Sequence, residues 1–168
     1  MAAVAGRLKG KAYEFVNIFE YDVLPLSGDW PREFEDTAER EGAGLLCHQR
    51  QRIGLTSHPH FLNHHDDPAF GEHWQSISVR RAPSVVLSTL GAQTFWCWEA
   101  FEAVAARPEP IPIYLENDMP TLAHHLGFRV RPGVGGHMRP LGEFIPREID
   151  TARAAGTGAV HPVKGGAS

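Results

Sequence analysis

The sequence predicts an α+β fold, and three observations lead to that prediction. Segments in which apolar residues recur at every second position alternate with segments of helical spacing over residues 13–90. Glycine and proline, at 17 and 13 residues, punctuate the boundaries between these segments. Hydrophobic residues make up 42% and charged residues 21% of the 168 residues, which is typical of a globular domain with a buried core.

The first three elements follow from local patterns. Aromatic residues alternate with other residues over 13–23, which predicts a strand. Asp29 is a suitable N-cap for a helix that begins at Trp30-Pro31, and Gly42 is a suitable stop for it. Residues 45–53 are then expected to form a second strand.

Three further elements complete the first half of the chain. A third strand is predicted over 60–65, a helix from Asp67-Pro68 to Arg81, and a fourth strand over 84–90. The resulting β-α-β-β-α-β order is that of a ferredoxin-like unit. The helices of such a unit cover one sheet face, so we expect a second copy of the chain to cover the other face in a homodimer.

The second half of the chain is less regular. It predicts a helix over 93–106, a short strand over 111–115 and a helix over 119–126. The predicted organisation has four parts: a flexible N-terminus at 1–11, the ferredoxin-like α/β-barrel domain at 12–91, a helical extension packed on that domain at 92–149, and a disordered tail at 150–168.

Charge and composition exclude several classes of partner. The formal net charge of −4 argues against a general nucleic-acid binder, because neutralising phosphates requires a basic surface. No apolar run is long enough to span a membrane, and residues 1–11 lack the apolar segment of a signal peptide. Cys47 and Cys97 form no CxxC pair and are expected to be buried thiols. We therefore expect a cytoplasmic protein.

Histidines crowd into one short stretch, and this is the strongest chemical signal in the sequence. His58, His60, His64 and Asp66 would share one face of a strand, and His65 would lie on the other face. Histidine changes its charge near neutral pH, so this stretch is suited to proton transfer. We expect His60, His64, His65 and Asp66 to form an acid–base group that needs no cofactor.

The same stretch allows a metal site as an alternative. His58, His60 and His64 could ligate Fe, Zn or Cu, because three imidazoles leave coordination positions open. The spacing resembles the first metal motif of cupins, with His64 where that motif has a glutamate. This alternative predicts a metal-dependent oxygenase or isomerase.

Three segments together carry a resemblance to a known family. FVNIFEYDV at 15–23, GLLCHQRQRIG at 44–54 and PHFLN at 59–63 resemble the antibiotic-biosynthesis-monooxygenase group of dimeric α/β barrels over about residues 12–91. The resemblance implies a polyketide cyclase or cofactor-independent monooxygenase with an aromatic or polyketide-like substrate. Asp67 stands where oxygenase members carry a tryptophan, so quinone oxygenation is less well supported than the fold.

Four further residues are candidates for substrate contact. Asn17 and Tyr21 lie on the predicted first strand, Asn63 ends the third, and Trp74 lies on the following helix. An amide or phenol donor could hold a developing oxyanion, and an indole could stack on an aromatic substrate. A non-catalytic dimeric module that binds a small molecule is the remaining alternative.

Overall fold

The fold is that of a computed structural model, which describes part of the chain. The described residues are 6, 10, 13–20, 22–28, 30–53, 68, 86–107, 115–133, 138–141 and 145–162. They contain seven strands and four helices, so the predicted α+β class is confirmed. In chain order these are β1 (Phe15–Phe19), β2 (Leu24–Pro25), α1 (Trp30–Glu41), β3 (Leu45–Ile53), β4 (Val86–Cys97), α2 (Trp98–Ala105), α3 (Leu115–His125), β5 (Val130–Pro132), β6 (Met138–Leu141), α4 (Pro146–Ala154) and β7 (Ala159–Pro162).

The larger sheet has four strands in the order β1-β4-β3-β5. β4 is antiparallel to β1 and to β3, and β5 runs parallel to β3. The segments predicted as second and fourth strands are therefore direct neighbours, since Leu45 lies opposite Trp96 and Ile53 opposite Val86. The segment predicted as the third strand lies outside the described residues.

Buried side chains lie on both faces of the described part of this sheet. On one face, Phe34 and Ala38 of α1 pack with Leu46 and Phe95, and Phe15 and Phe19 border this cluster. On the other face, α2 and α3 pack against the sheet through a second cluster, which contains Leu45, Cys47, Leu87, Trp96, Phe101, Val104, Met119 and Leu122. Helices thus pack on both faces of the described part of this sheet, although β1 is only half-buried, and the homodimer remains a prediction.

The helix predicted over 93–106 is corrected at its beginning. Residues 93–97 belong to β4, and α2 begins only at Trp98. Phe95 stacks on Phe34 at a ring-centroid distance of 5.4 Å, whereas the neighbouring Trp96 meets Phe101 on the opposite face. Consecutive aromatic residues facing opposite ways are typical of a strand that is buried on both sides, and they do not show the alternation of a half-exposed strand.

β4 also crosses the predicted domain boundary between residues 91 and 92. Its first half pairs with β3, and its second half pairs with both β3 and β1. Residues 92–97 and β5 are thus strands of the same sheet, and the segment predicted as a helical extension contributes to the central sheet.

A side chain of α3 docks this helix on β4 beyond the end of β1. The Thr121 hydroxyl accepts a hydrogen bond from Leu87 N at 2.9 Å and donates one to Leu87 O at 3.1 Å. Both residues are buried. The hydroxyl therefore satisfies two backbone groups that a further strand would otherwise pair.

The smaller sheet has three strands in the order β2-β7-β6. β7 pairs with β2 in antiparallel fashion and with β6 in parallel fashion, and α4 packs on it through Ala152 and Ile149. The prediction of a disordered tail from residue 150 is therefore wrong for residues 150–162. The apolar segment near residue 160 is short and has no clear periodicity. It forms a strand because it pairs with β2, which lies near the other end of the chain.

No helix among the residues that the structure describes is long and apolar enough to cross a membrane.

Candidate metal centre

A cluster of polar side chains forms where the beginning and the end of the chain meet. Glu20 follows β1, Asp22 lies just before β2, and His161 lies on β7. The pairing of Leu24 with Val160 brings Glu20 and Asp22 beside His161. A backbone hydrogen bond from Val23 N to Glu20 O, at 3.2 Å, holds these two residues close together.

The three side chains converge on the Nε2 atom of His161. Nε2 lies 3.1 Å from Oε2 of Glu20 and 3.4 Å from Oδ1 of Asp22. One potential donor atom from each residue lies within 4.8 Å of the others. The side chains of His161 and Asp22 are 16% and 14% exposed, so the cluster is mostly shielded but has an opening to solvent through Glu20, at 32%.

These spacings match donor atoms that share one metal ion. Nitrogen and oxygen ligands bind zinc at about 2.0–2.2 Å, so two ligands at tetrahedral or octahedral angles lie about 3.0–3.5 Å apart. The two measured distances to His161 Nε2, 3.1 and 3.4 Å, fall in this range. The third separation, between the two carboxylate oxygens, is within 4.8 Å, so a cation would replace the contacts to His161 with metal bonds after a local adjustment of these side chains.

The electrostatics of the cluster also favour a cation. Two carboxylates lie beside one imidazole, and Oδ1 of Asp22 is fully shielded from solvent. A divalent ion would neutralise both carboxylates while His161 binds it as a neutral ligand.

The donor set indicates which metals fit. One imidazole nitrogen and two carboxylate oxygens, without a thiolate, suit Zn²⁺, Fe²⁺ or Mn²⁺. This is the only group of three or more potential metal-binding side chains among the described residues. The cupin-like alternative placed the metal at His58, His60 and His64, which lie outside the described residues.

Asn17 is the predicted substrate contact that the structure describes. It lies on β1 between Phe15 and Phe19, and its Oδ1 accepts a hydrogen bond from Gln93 Nε2 at 3.2 Å. Its Nδ2 is buried and has no hydrogen-bond partner among the described residues. Among the described residues, the two N–H groups of this amide therefore have no acceptor, and nothing there joins the amide to the Glu20–Asp22–His161 cluster.

The other predicted site residues lie outside the described residues. These are Tyr21, His58, His60, Asn63, His64, His65, Asp66 and Trp74. Their predicted roles in acid–base chemistry, substrate contact and metal binding remain predictions.

Sequence patterns alone do not reveal the metal cluster. Glu20 falls on the outer face of the predicted first strand, and His161 falls in the predicted disordered tail. The signal in the sequence is weak: Ala159-Val160 is a very short apolar run before His161, and a short run does not predict a strand by itself.

Two other titratable groups, Cys47 and His48 on β3, have shifted pKa values. Burial raises the pKa of the Cys47 thiol, which lies 3.5 Å from Arg131 O and is suited to donate to it. Burial lowers the pKa of His48. Both shifts favour neutral side chains, as expected for groups within a packed sheet.

The chain matches no protein-family model, and comparisons with curated proteins and with solved structures likewise give no match.

Proposed function

We propose that this protein binds a divalent transition-metal ion through Glu20, Asp22 and His161 and uses it to act on a small molecule. The observation that carries the proposal is the convergence of two carboxylate oxygens on His161 Nε2, at 3.1 and 3.4 Å. One imidazole and two carboxylates are ligand types that divalent transition metals bind.

The three ligands found among the described residues favour a catalytic rather than a purely structural ion. Structural zinc sites have four protein ligands, whereas catalytic sites have about three and keep a position open for water or substrate. Three donors and a partly exposed Glu20 fit the second arrangement. A bound ion would supply Lewis acidity and an activated water, which suits hydrolysis or isomerisation of an oxygen-rich small molecule.

Metal content and metal-dependent stability test this proposal. Purified protein should contain close to one equivalent of Zn, Fe or Mn, and chelation should lower its melting temperature. Readdition of metal at about 100 times its Kd should restore about 2.7 kcal/mol of stability. For a chain of this size, that corresponds to a shift of roughly 5–10 °C.

Substitutions distinguish a metal-binding site from a set of purely structural ion pairs. His161→Gln, Glu20→Gln and Asp22→Asn should each abolish the metal-induced shift, while Glu148→Gln, which changes a half-buried carboxylate on α4, should keep it. Metal affinity should also fall on acidification, because carboxylates and imidazole must be deprotonated to bind. If the stability of the protein depended on these residues but not on added metal, the cluster would be a set of structural ion pairs and the proposal would be wrong.

A cyclase or cofactor-independent monooxygenase is the second candidate function. The unused Nδ2 donor of Asn17 favours it, because an amide held at its oxygen by Gln93 can still donate to an oxyanion. Alanine at His60, His64 and His65 together should abolish turnover of an aromatic polyketide-like substrate, and at least one of the three single variants should lower it. Unchanged turnover in the triple variant would rule out this mechanism.

The ferredoxin-like dimeric barrel belongs to this second candidate. It predicts a homodimer, which the molecular mass in solution tests directly. A monomer would remove the barrel while leaving the metal proposal unaffected, because Glu20, Asp22 and His161 all come from one chain.

A further inference from the structure

A cavity lies away from the metal cluster, at the other end of β1. Its volume is about 480 Å³, within the range of small-molecule pockets. Phe15 lines it at the beginning of β1, whereas Glu20 follows the end of that strand. At about 3.3 Å per residue these two positions are roughly 16 Å apart, so the cavity and the cluster are separate.

Two helix ends form the cavity wall. Gly42 follows α1 and Gly127 follows α3, with φ angles of 58° and 105° that favour glycine. In both places backbone hydrogen bonds close the helix: Gly42 N donates to Glu39 O and Gly127 N to His124 O, each at 3.1 Å. The chain therefore reverses without side chains that would fill the cavity.

A third glycine keeps an aromatic wall in place. A Cβ atom at Gly44 would lie 2.8 Å from Cβ of Phe128, which is closer than two such atoms can pack. Phe128 and Phe15 both line the cavity, and Phe15 is held by stacking on Phe95 at 5.2 Å. The cavity thus offers two phenyl rings to an apolar group.

The cavity is also lined by one acidic and one basic side chain. Glu39 and Arg129 line the cavity, and both are exposed. Nη1 of Arg129 donates to Glu41 O at 2.7 Å, which holds the guanidinium near the end of α1, and a guanidinium carries further N–H donors. The Glu39 carboxylate is suited to an ammonium group and the Arg129 guanidinium to a carboxylate.

We propose that this cavity binds a zwitterionic small molecule, namely a free α-amino acid with a large apolar side chain. The ammonium group pairs with Glu39, the carboxylate pairs with Arg129, and the side chain packs on Phe15 and Phe128. The inference is independent of the metal proposal, because the two sites share no residue.

Cys97 provides a built-in reporter for this site. It lines the cavity and is half-buried, whereas Cys47 is buried in the same sheet. Burial, together with Glu99, raises the pKa of Cys97, so its thiol is neutral at neutral pH and needs mildly alkaline conditions for alkylation. A bound ligand should slow alkylation of Cys97, and Cys47 serves as the unreactive control.

The test titrates the complete protein with L-phenylalanine and L-leucine by calorimetry and follows iodoacetamide labelling of Cys97. We expect a Kd of about 1 mM or tighter, and protection of Cys97 at saturation. Phenethylamine lacks the carboxylate and 3-phenylpropionate lacks the ammonium, so each should bind at least about tenfold more weakly.

Matched variants assign the two charges. Glu39→Gln and Arg129→Gln should each weaken phenylalanine binding about tenfold, whereas Glu35→Gln, one turn earlier on α1, should not. Equal binding of phenylalanine and its two analogues, or tight binding that survives both substitutions, would overturn the proposal. So would an absence of saturable binding or of Cys97 protection.

Discussion

The two sheets of this protein differ in what buries them. The four-stranded sheet is covered on both faces by helices and contains large side chains such as Trp96, Phe95 and Phe101. The three-stranded sheet is packed by smaller aliphatic groups, including Ala159 and Val160. The candidate metal cluster borders the smaller sheet. We therefore expect the larger sheet to supply most of the stability, while the smaller sheet positions polar groups near the surface.

Truncation of a core residue in each sheet should give the largest difference. Trp96 and Val160 are both fully buried. Trp96→Ala should lower the free energy of unfolding by about 3–5 kcal/mol, because it leaves a large cavity between β4 and α2. Val160→Ala removes two carbon atoms and should cost about 2 kcal/mol.

Urea unfolding of the two variants measures this difference. If Val160→Ala were as destabilising as Trp96→Ala, the smaller sheet would carry as much of the stability as the larger one, and the comparison would fail.

Two threonines test the polar contacts of the two regions. Thr121→Val should leave both Leu87 N and Leu87 O without their buried partner, and each loss costs about 1–3 kcal/mol. Thr151→Val, on exposed α4, removes a bond of 2.8 Å to Arg147 O and should change stability by less than about 0.5 kcal/mol. Hydrogen exchange of the Leu87 amide should accelerate only in the Thr121 variant. Equal effects of the two substitutions would contradict the burial argument.

Two glycines, one next to each sheet, test how closely the backbone is packed in the two regions. Gly44→Ala should destabilise by about 1–3 kcal/mol, because its Cβ would lie 2.8 Å from Cβ of Phe128. A Cβ added at Gly28, which follows β2, would meet no heavy atom of the described residues within 4 Å, so Gly28→Ala should be close to neutral. Thermal unfolding of the pair measures the contrast, and a neutral Gly44→Ala would show that Phe128 moves freely.

The smallest expected effect is a pH dependence that arises on β3. Burial lowers the pKa of His48, so the unfolded chain binds a proton at this residue at higher pH than the folded chain does. Its contribution to stability is therefore complete above about pH 6.5 and decreases as the pH falls below that value. His48→Gln should remove this part of the pH dependence.

Chemical denaturation between pH 5 and 8, together with NMR titration of the His48 ring, tests this expectation. A His48 titration midpoint above the ordinary value for histidine would reverse the sign and contradict the burial argument.

Local patterns in the sequence determined part of the fold by themselves. The helix at Trp30–Glu41 and the strand at Leu45–Ile53 follow from spacing, a proline in the first turn and glycines at the stop. The alternation of Phe15, Asn17 and Phe19 correctly placed these residues on one side of β1. Such features depend on neighbours a few residues apart, which the sequence shows directly.

Contacts between distant residues were decided by the tertiary structure alone. Residues 93–97 form a strand because β1 and β3 pair with them on either side, which overrides their helical pattern. β7 forms because β2 and β6 flank it, and the contact between His161 and Glu20 joins residues 141 positions apart. Periodicity reports which face of a segment is apolar. It contains no information about which segments pair with each other. The candidate metal centre depends on such a pairing, because β2 and β7 bring Glu20 and Asp22 next to His161.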